Sequence, residues 1–253
     1  MKLTQSQITI LKKQYQKLGP KVLAEKFGVS MKYLSQLAIR RGLKRGVAAS
    51  NFNRRNKWKF NGDWTYDLGY ICGVYLGDGN VYLTKKTGYF ALSVIDKDFS
   101  IITKSKIESL THINSSIIRE YNKKFTYRFC NKDFARWLVA EFGVANNKVI
   151  KQLPTIEANK GLLEGLMDSE GTNQKYNLCI RMCSYLQPVV DICNQLKIQP
   201  GRNHKGIRLQ KWHPKSRAGI NLYGFSISIK EWTRVGLGTY IKRKAKNGIV
   251  YKQ

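Results

Sequence analysis

The sequence predicts an α+β protein, a body built from two related halves and preceded by a small all-α domain. Three observations lead there. Apolar residues in the first sixty positions recur at helical spacing within a strongly basic stretch. Two apolar, helix-like segments repeat at a constant offset further along the chain. Short alternating segments, typical of half-buried strands, follow each copy.

Charge narrows the function class. The 253 residues hold 45 Lys and Arg against 16 Asp and Glu, a net charge of +29. Such an excess repels itself unless a polyanion balances it, and nucleic acid does so by releasing condensed counterions. With no apolar run of membrane-spanning length, no signal peptide and no lipidation motif, an intracellular protein without a membrane partner is expected. The five cysteines, Cys72, Cys130, Cys179, Cys183 and Cys193, are odd in number and lack Cys-x-x-Cys spacing. They fit reduced thiols better than a disulfide framework or zinc ribbon. Three histidines, His112, His204 and His213, are too few for histidine-based nuclease sites.

Residues 1–60 carry fifteen Lys and Arg against Glu25 alone, a net +14. Ile8, Leu11, Tyr15 and Leu18 mark one face of a first helix, which Gly19-Pro20 breaks. Val22, Leu23 and Phe27 mark a second. Gly28-Val29-Ser30 turns the chain, and Ser30 caps a third helix with Tyr33, Leu34, Leu37 and Ala38 inward. Leu23 to Ser30 followed by Tyr33-Leu34 resembles the helix-turn-helix of DNA-binding proteins. That resemblance would put the third helix in a major groove, with Met31, Lys32, Ser35, Gln36, Arg40 and Arg41 as candidate DNA contacts. Residues 1–45 are read as this domain and 46–62 as a basic linker, in which Arg54 and Arg55 could contact DNA.

The repeat pairs residues 68–79 with residues 160–171. Gly73 aligns with Gly165, Gly77 with Ser169, Asp78 with Glu170 and Gly79 with Gly171, all at an offset of 92. Small residues four apart share a helix face and let two backbones approach. Gly79 and Gly171 are expected as left-handed residues ending each helix. Asp78 and Glu170 then lie at negative helix ends, which disfavours each carboxylate by ~0.3–1 kcal/mol. A divalent cation shared between them would reverse that penalty.

At Ile71-Cys72-Gly73-Val74-Tyr75-Leu76-Gly77-Asp78-Gly79 and Leu163-Glu164-Gly165-Leu166-Met167-Asp168-Ser169-Glu170-Gly171 the chain resembles the LAGLIDADG homing endonucleases. The resemblance spans about residues 64–250 and implies a pseudo-two-fold domain of two αββαββα-like halves, about 63–155 and 156–253. It implies a monomer that cuts both strands of double-stranded DNA. Asp78 and Glu170 would bind Mg2+, or a similar divalent cation such as Mn2+ or Ca2+. A basic residue is implied near each scissile phosphate. Lys148 suits the first half; Lys242, Lys244 and Lys246 compete in the second, with Lys244 preferred.

Strands are expected at 89–94, 117–121 and 125–129 in the first half, and at 178–182, 206–212 and 221–229 in the second. Their polar faces nominate Arg119, Arg128, Arg181, Arg202, Arg208, Gln210 and Asn221 as groove contacts. The alternative on the same scaffold is a DNA-binding regulator or an RNA-splicing maturase that does not cleave.

Overall fold

Thr4 starts the first helix with a reciprocal cap: its hydroxyl accepts from the Gln7 amide, and the Gln7 side chain accepts from the Thr4 amide. The computed structural model describes residues 3–43, 58–113, 115, 118–174, 176–182, 186–198, 210–212 and 222–252. Helix α1 is Gln5–Phe27, but Gly19 (φ 72, ψ 174) leaves helical geometry, so the run is two helices meeting at Gly19-Pro20. Gly28 adopts φ 63 and closes the second piece, with its amide on the Ala24 and Glu25 carbonyls. Ser30 caps α2, Met31–Arg40, by accepting from the Tyr33 amide. Leu11, Tyr15, Leu23, Phe27, Leu34 and Ala38 are buried together. Leu18 and Val22, expected inside, are 37% and 48% exposed, because the break at Gly19 resets the helical phase between them.

The chain divides into two compact units, Met1–Lys57 and Trp58–Gln253. The second is an α+β body. Its first half runs α3 (Tyr66–Leu76), β1 (Asn80–Leu83), β2 (Gly88–Val94), α4 (Lys97–Thr111), β3 (Arg119–Tyr121), β4 (Lys124–Phe129) and α5 (Lys132–Phe142). Its second half runs α6 (Ile156–Glu170), β5 (Gly171–Asn173), β6 (Asn177–Met182), α7 (Gln187–Gln195), β7 (Gln210–Trp212), β8 (Leu222–Ser228) and α8 (Ile229–Arg234). Each half forms a four-stranded antiparallel sheet of the same topology, β1-β2-β4-β3 and β5-β6-β8-β7. No helix among the described residues is long and apolar enough to cross a membrane.

Alternation fixes the sheet faces. In β2, Phe90, Leu92 and Val94 are buried while Ser93 is exposed. The hairpin joining β3 to β4 turns on Asn122 (φ 49) and Lys123 (φ 61), the paired left-handed residues of a two-residue turn. Strands β1 and β5 are too short for a periodic signal and follow their motif helices directly, so sequence patterning does not reveal them. Trp58 and Phe60, inside the expected linker, pack on the body: Trp58 lies 4.9 Å from the Phe134 ring and 5.3 Å from the Trp137 ring.

Helices α3 and α6 form the centre of the body, with nine of the eleven residues of α3 and ten of the fifteen of α6 buried. Their crossing has no room for β-carbons. A Cβ on Gly73 would lie 2.8 Å from the Leu166 amide nitrogen and nearer still to the Leu162 carbonyl oxygen. One on Gly165 would meet the Tyr70 carbonyl oxygen, and Gly69 and Gly161 press on Ala158 and Tyr66 in the same way. The outer pair, Gly69 and Gly161, also stands 92 apart and extends the repeat by one turn. Gly79 and Gly171 are not left-handed, in contrast to expectation: Gly171 is extended (φ −78, ψ 143) and Gly79 is absent from the positive-φ residues. Each is glycine because its own helix folds back closely. A Cβ on Gly79 would fall 2.7 Å from Tyr75 Cα, and one on Gly171 would strike the Met167 side chain.

Filling this seam forces backbone apart and cannot be relieved by rotamer change. Gly73→Ala and Gly165→Ala should each cost about 3 kcal/mol or more, read as a lower midpoint in urea unfolding. Wild-type stability in either variant would contradict the close approach.

Candidate active site

The seam ends where the two motif acids stand. Asp78 follows α3 by two residues, and Glu170 is the last residue of α6. At this end the seam stays tight: a Cβ on Gly77 would crowd Ser169 and sit 3.0 Å from Glu170 Cγ. Helix packing therefore brings the two carboxylates, far apart in sequence, near enough for the Asp78 charge to act on Glu170.

A lysine reaches into each helix end. Lys148 Nζ donates to the carbonyl oxygens of Tyr75 (2.5 Å), Gly79 (2.7 Å) and Gly77 (3.4 Å). Lys244 Nζ donates to those of Met167 (2.9 Å), Asp168 (2.7 Å) and Ser169 (3.5 Å). Tyr75 and Met167, and likewise Gly77 and Ser169, are repeat equivalents, so the two lysines cap their helices in matching fashion. An ammonium at the negative end of a helix is favourably placed. Lys242 and Lys246 are exposed, whereas Lys244 is 5% exposed.

The four charges disturb one another. Burial raises the Glu170 carboxyl above the ordinary range, and the nearby Asp78 charge adds to the rise. The Asp78 side chain opens to solvent, yet partial burial raises its carboxyl too, against the pull of Lys244 and Lys148. Burial lowers Lys148 to about 8 and also lowers Lys244, against the attraction of the acids. Among the described residues no three or more His, Cys, Asp or Glu side chains gather as a metal cluster.

The remaining expected contacts are scattered over surfaces. Arg119 and Arg128 are exposed on strands of the first sheet, and register puts them on the same face, opposite Thr126 and Ala91. The Arg128 guanidinium stands 5.4 Å from the Tyr89 ring, which stacks on Tyr82 at 5.3 Å. This tyrosine pair escapes a sequence reading because β1 escapes it. Arg181 is exposed on β6, and Gln210 in β7 pairs with Gly224. In the N-terminal unit Met31, Lys32, Gln36, Arg40 and Arg41 are exposed and Ser35 is half-buried. Arg54, Arg55, Arg202, Arg208 and Asn221 lie outside the described residues.

No family model matches the chain. It is 29% identical over 204 residues to the uncharacterized protein MJ0398 of Methanocaldococcus jannaschii, covering 70% of this chain and 68% of that protein. It is 30% identical over 153 residues to MJ0314 of the same organism, covering 55% of this chain and 56% of that one. A 114-residue stretch is 28% identical to the ATP-dependent DNA helicase Hel308 of Thermococcus kodakarensis, 42% of this chain but 10% of the helicase. Among solved structures it resembles a glycine-to-serine variant of I-DmoI bound to target DNA with Mg (TM-score 0.50, 17% identity, 69% of this chain, 97% of that one). A glutamate-to-alanine variant of I-DmoI with target DNA and Mn is similar (TM-score 0.50, 16% identity, 68% and 93%). I-DmoI is described as a homing endonuclease.

The chain has the LAGLIDADG endonuclease fold.

In this LAGLIDADG fold the acids' titration can be checked without any reaction. Carboxyls raised on folding hold protons that the unfolded chain has lost, so their stability contribution is complete in acid and falls as pH rises through the folded values. In metal-free buffer, Asp78→Asn and Glu170→Gln should therefore each raise the melting midpoint at pH 7, and should lose that advantage below the ordinary carboxylate range near pH 4. Glu170→Gln should gain less once Asp78 is already Asn, because the Asp78 charge contributes to the rise at Glu170. Melting at or below wild type at pH 7 would refute this account of the pair.

Proposed function

We propose that this protein is a divalent-metal-dependent endodeoxyribonuclease that makes a double-strand break at a long DNA target. The observation that carries the reading is the convergence of Asp78 and Glu170 from two pseudo-equivalent helix ends, each beside its own lysine, half-buried Lys148 and buried Lys244. Two carboxylates held together against their mutual repulsion suit a hard cation with oxygen ligands, such as Mg2+, Mn2+ or Ca2+. With two protein carboxylates, the remaining ligands would come from phosphate and water. The fold neighbours hold target DNA in the presence of Mg or Mn, which supports the choice.

Asp78 and Glu170 would hold the divalent cation. The metal supplies an activated water and charge stabilisation at the leaving 3′ oxygen. Lys148 and Lys244 would stabilise negative charge growing on each phosphate. Lys148, lowered to about 8, is also near the range where a proton can move at neutral pH. Arg119, Arg128 and Arg181 on exposed strands would contact the groove or the phosphates. The N-terminal unit, with Lys32, Gln36, Arg40 and Arg41 exposed, would be a second DNA-contacting module. Because both centres lie on one chain, it would act as a monomer.

A randomised duplex library settles the reading. Wild type with Mg2+ should release cut ends, EDTA should abolish them, and Asp78→Asn with Glu170→Gln should reduce cutting at least about a hundredfold while retaining binding. Equal behaviour of wild type and the double variant would leave a binding-only regulator or maturase in place of the nuclease. Binding itself should weaken steeply with salt, with a slope in log K near −0.9 per phosphate contacted.

A further inference from the structure

The segment that carries Lys244 closes on itself. The Thr239 amide donates to the Val250 carbonyl at 3.0 Å, and the Lys252 amide donates to the Thr239 carbonyl at 2.9 Å. Between these ends the chain makes the turn Lys242–Lys244. The closed base is fastened to α6 by two buried acids one helical turn apart, Glu164 and Asp168. Glu164 accepts from the Gly238 amide (2.6 Å), Lys252 Nζ (2.5 Å) and the Tyr66 hydroxyl. Asp168 accepts from the Tyr240 amide (3.1 Å), the Tyr70 hydroxyl (2.7 Å) and the Thr239 hydroxyl.

Among the described residues no acid on α3 fastens the Lys148 segment, whose own ion pair joins Lys151 to Glu141 of α5 at 2.5 Å. The repeat equivalents of Glu164 and Asp168 are Cys72 and Leu76. The Lys148 segment is held differently, by the Tyr75 hydroxyl on the Gly143 carbonyl (2.5 Å) and the Val149 amide on the Phe142 carbonyl (2.8 Å). Glu164 is fully buried, and a buried carboxylate that loses its cation is left uncompensated. Its partner Lys252 is the last described residue, with a quarter of its side chain exposed.

We propose that Lys252 and Glu164 form a latch that positions Lys244, and with it the second-half centre alone. Release of the latch frees the base at Gly238 and Thr239, and the Lys244 ammonium loses its fixed place on the α6 carbonyls. This rests on the nuclease reading for its kinetic consequence but not for its structural one.

The test uses full-length protein and a target duplex labelled differently on its two strands. Lys244→Met identifies the strand served by Lys244. Lys252→Met should slow cutting of that strand by about tenfold or more and leave the other within about twofold, and Lys252→Arg should restore it. Glu164→Gln, which keeps shape while removing the charge, should slow the same strand. A general loss of stability would slow both strands together, and that result overturns the proposal. A second readout needs no cleavage: acetylation of Lys244 by acetic anhydride, followed by peptide mass spectrometry. Lys252→Met should raise the Lys244 labelling rate about tenfold, and an unchanged rate overturns the latch. If wild type cuts neither strand, the nuclease reading fails, and the labelling rate decides the latch by itself.

Discussion

Where α3 and α6 cross, carbonyl oxygens of one helix occupy the space in which β-carbons of the other would stand. Gly69, Gly73 and Gly77 on one side and Gly161, Gly165 and Ser169 on the other keep that space open along the whole seam. Helix axes this close fix the separation of whatever follows them. Asp78 and Glu170 follow at the tight end, and strands β1 and β5 leave from the same points, so each sheet inherits its placement from the seam. Position of the acids and placement of the sheets are thus one constraint. A seam wider by a methyl group would move both.

The close approach also concentrates charge where solvent screens it only in part. Both acids are raised and both lysines lowered, which means that burial outweighs the attraction of opposite charges at all four groups. The lysines escape part of that penalty through the helix-end carbonyls, which are themselves in need of donors. Among the described residues the relief that the carboxylates receive is the attraction of those two lysines, which burial outweighs. Both carboxyls thus stay raised in the fold.

The legible part of the sequence is the part governed by period and symmetry. Small residues four apart, twice, with an acid at the same place in each copy, disclose the seam and the acids. Ser30 and Gly28 disclose the helix-turn-helix-like turn of the N-terminal unit because their capping geometry is local. What escapes lacks local signal. Strands β1 and β5 have four and three residues, below the length at which alternation can be read. The glycines after the acids suggest left-handed caps, since that is the commonest reason for glycine there; contact with their own helices is invisible in the sequence. Trp58 and Phe60 sit in a basic stretch that reads as linker, and only the Phe134 and Trp137 rings they meet show that they pack against the core. Glu164 and Asp168 can be seen as acids on an apolar helix, but their partners lie more than seventy residues away in the chain.

The tyrosine-to-acid contacts across the seam have a wider meaning. Tyr66 meets Glu164 and Tyr70 meets Asp168, while the repeat equivalents of those tyrosines on α6 are Ala158 and Leu162. Two copies of α6 set against each other would leave Glu164 and Asp168 of each without the tyrosine hydroxyls that meet them here. Two copies of α3 would bury four hydroxyls facing cysteine and leucine. Each half therefore recognises its sibling and rejects its own likeness. A molecule whose architecture looks almost symmetric is in this respect a matched pair of unlike parts.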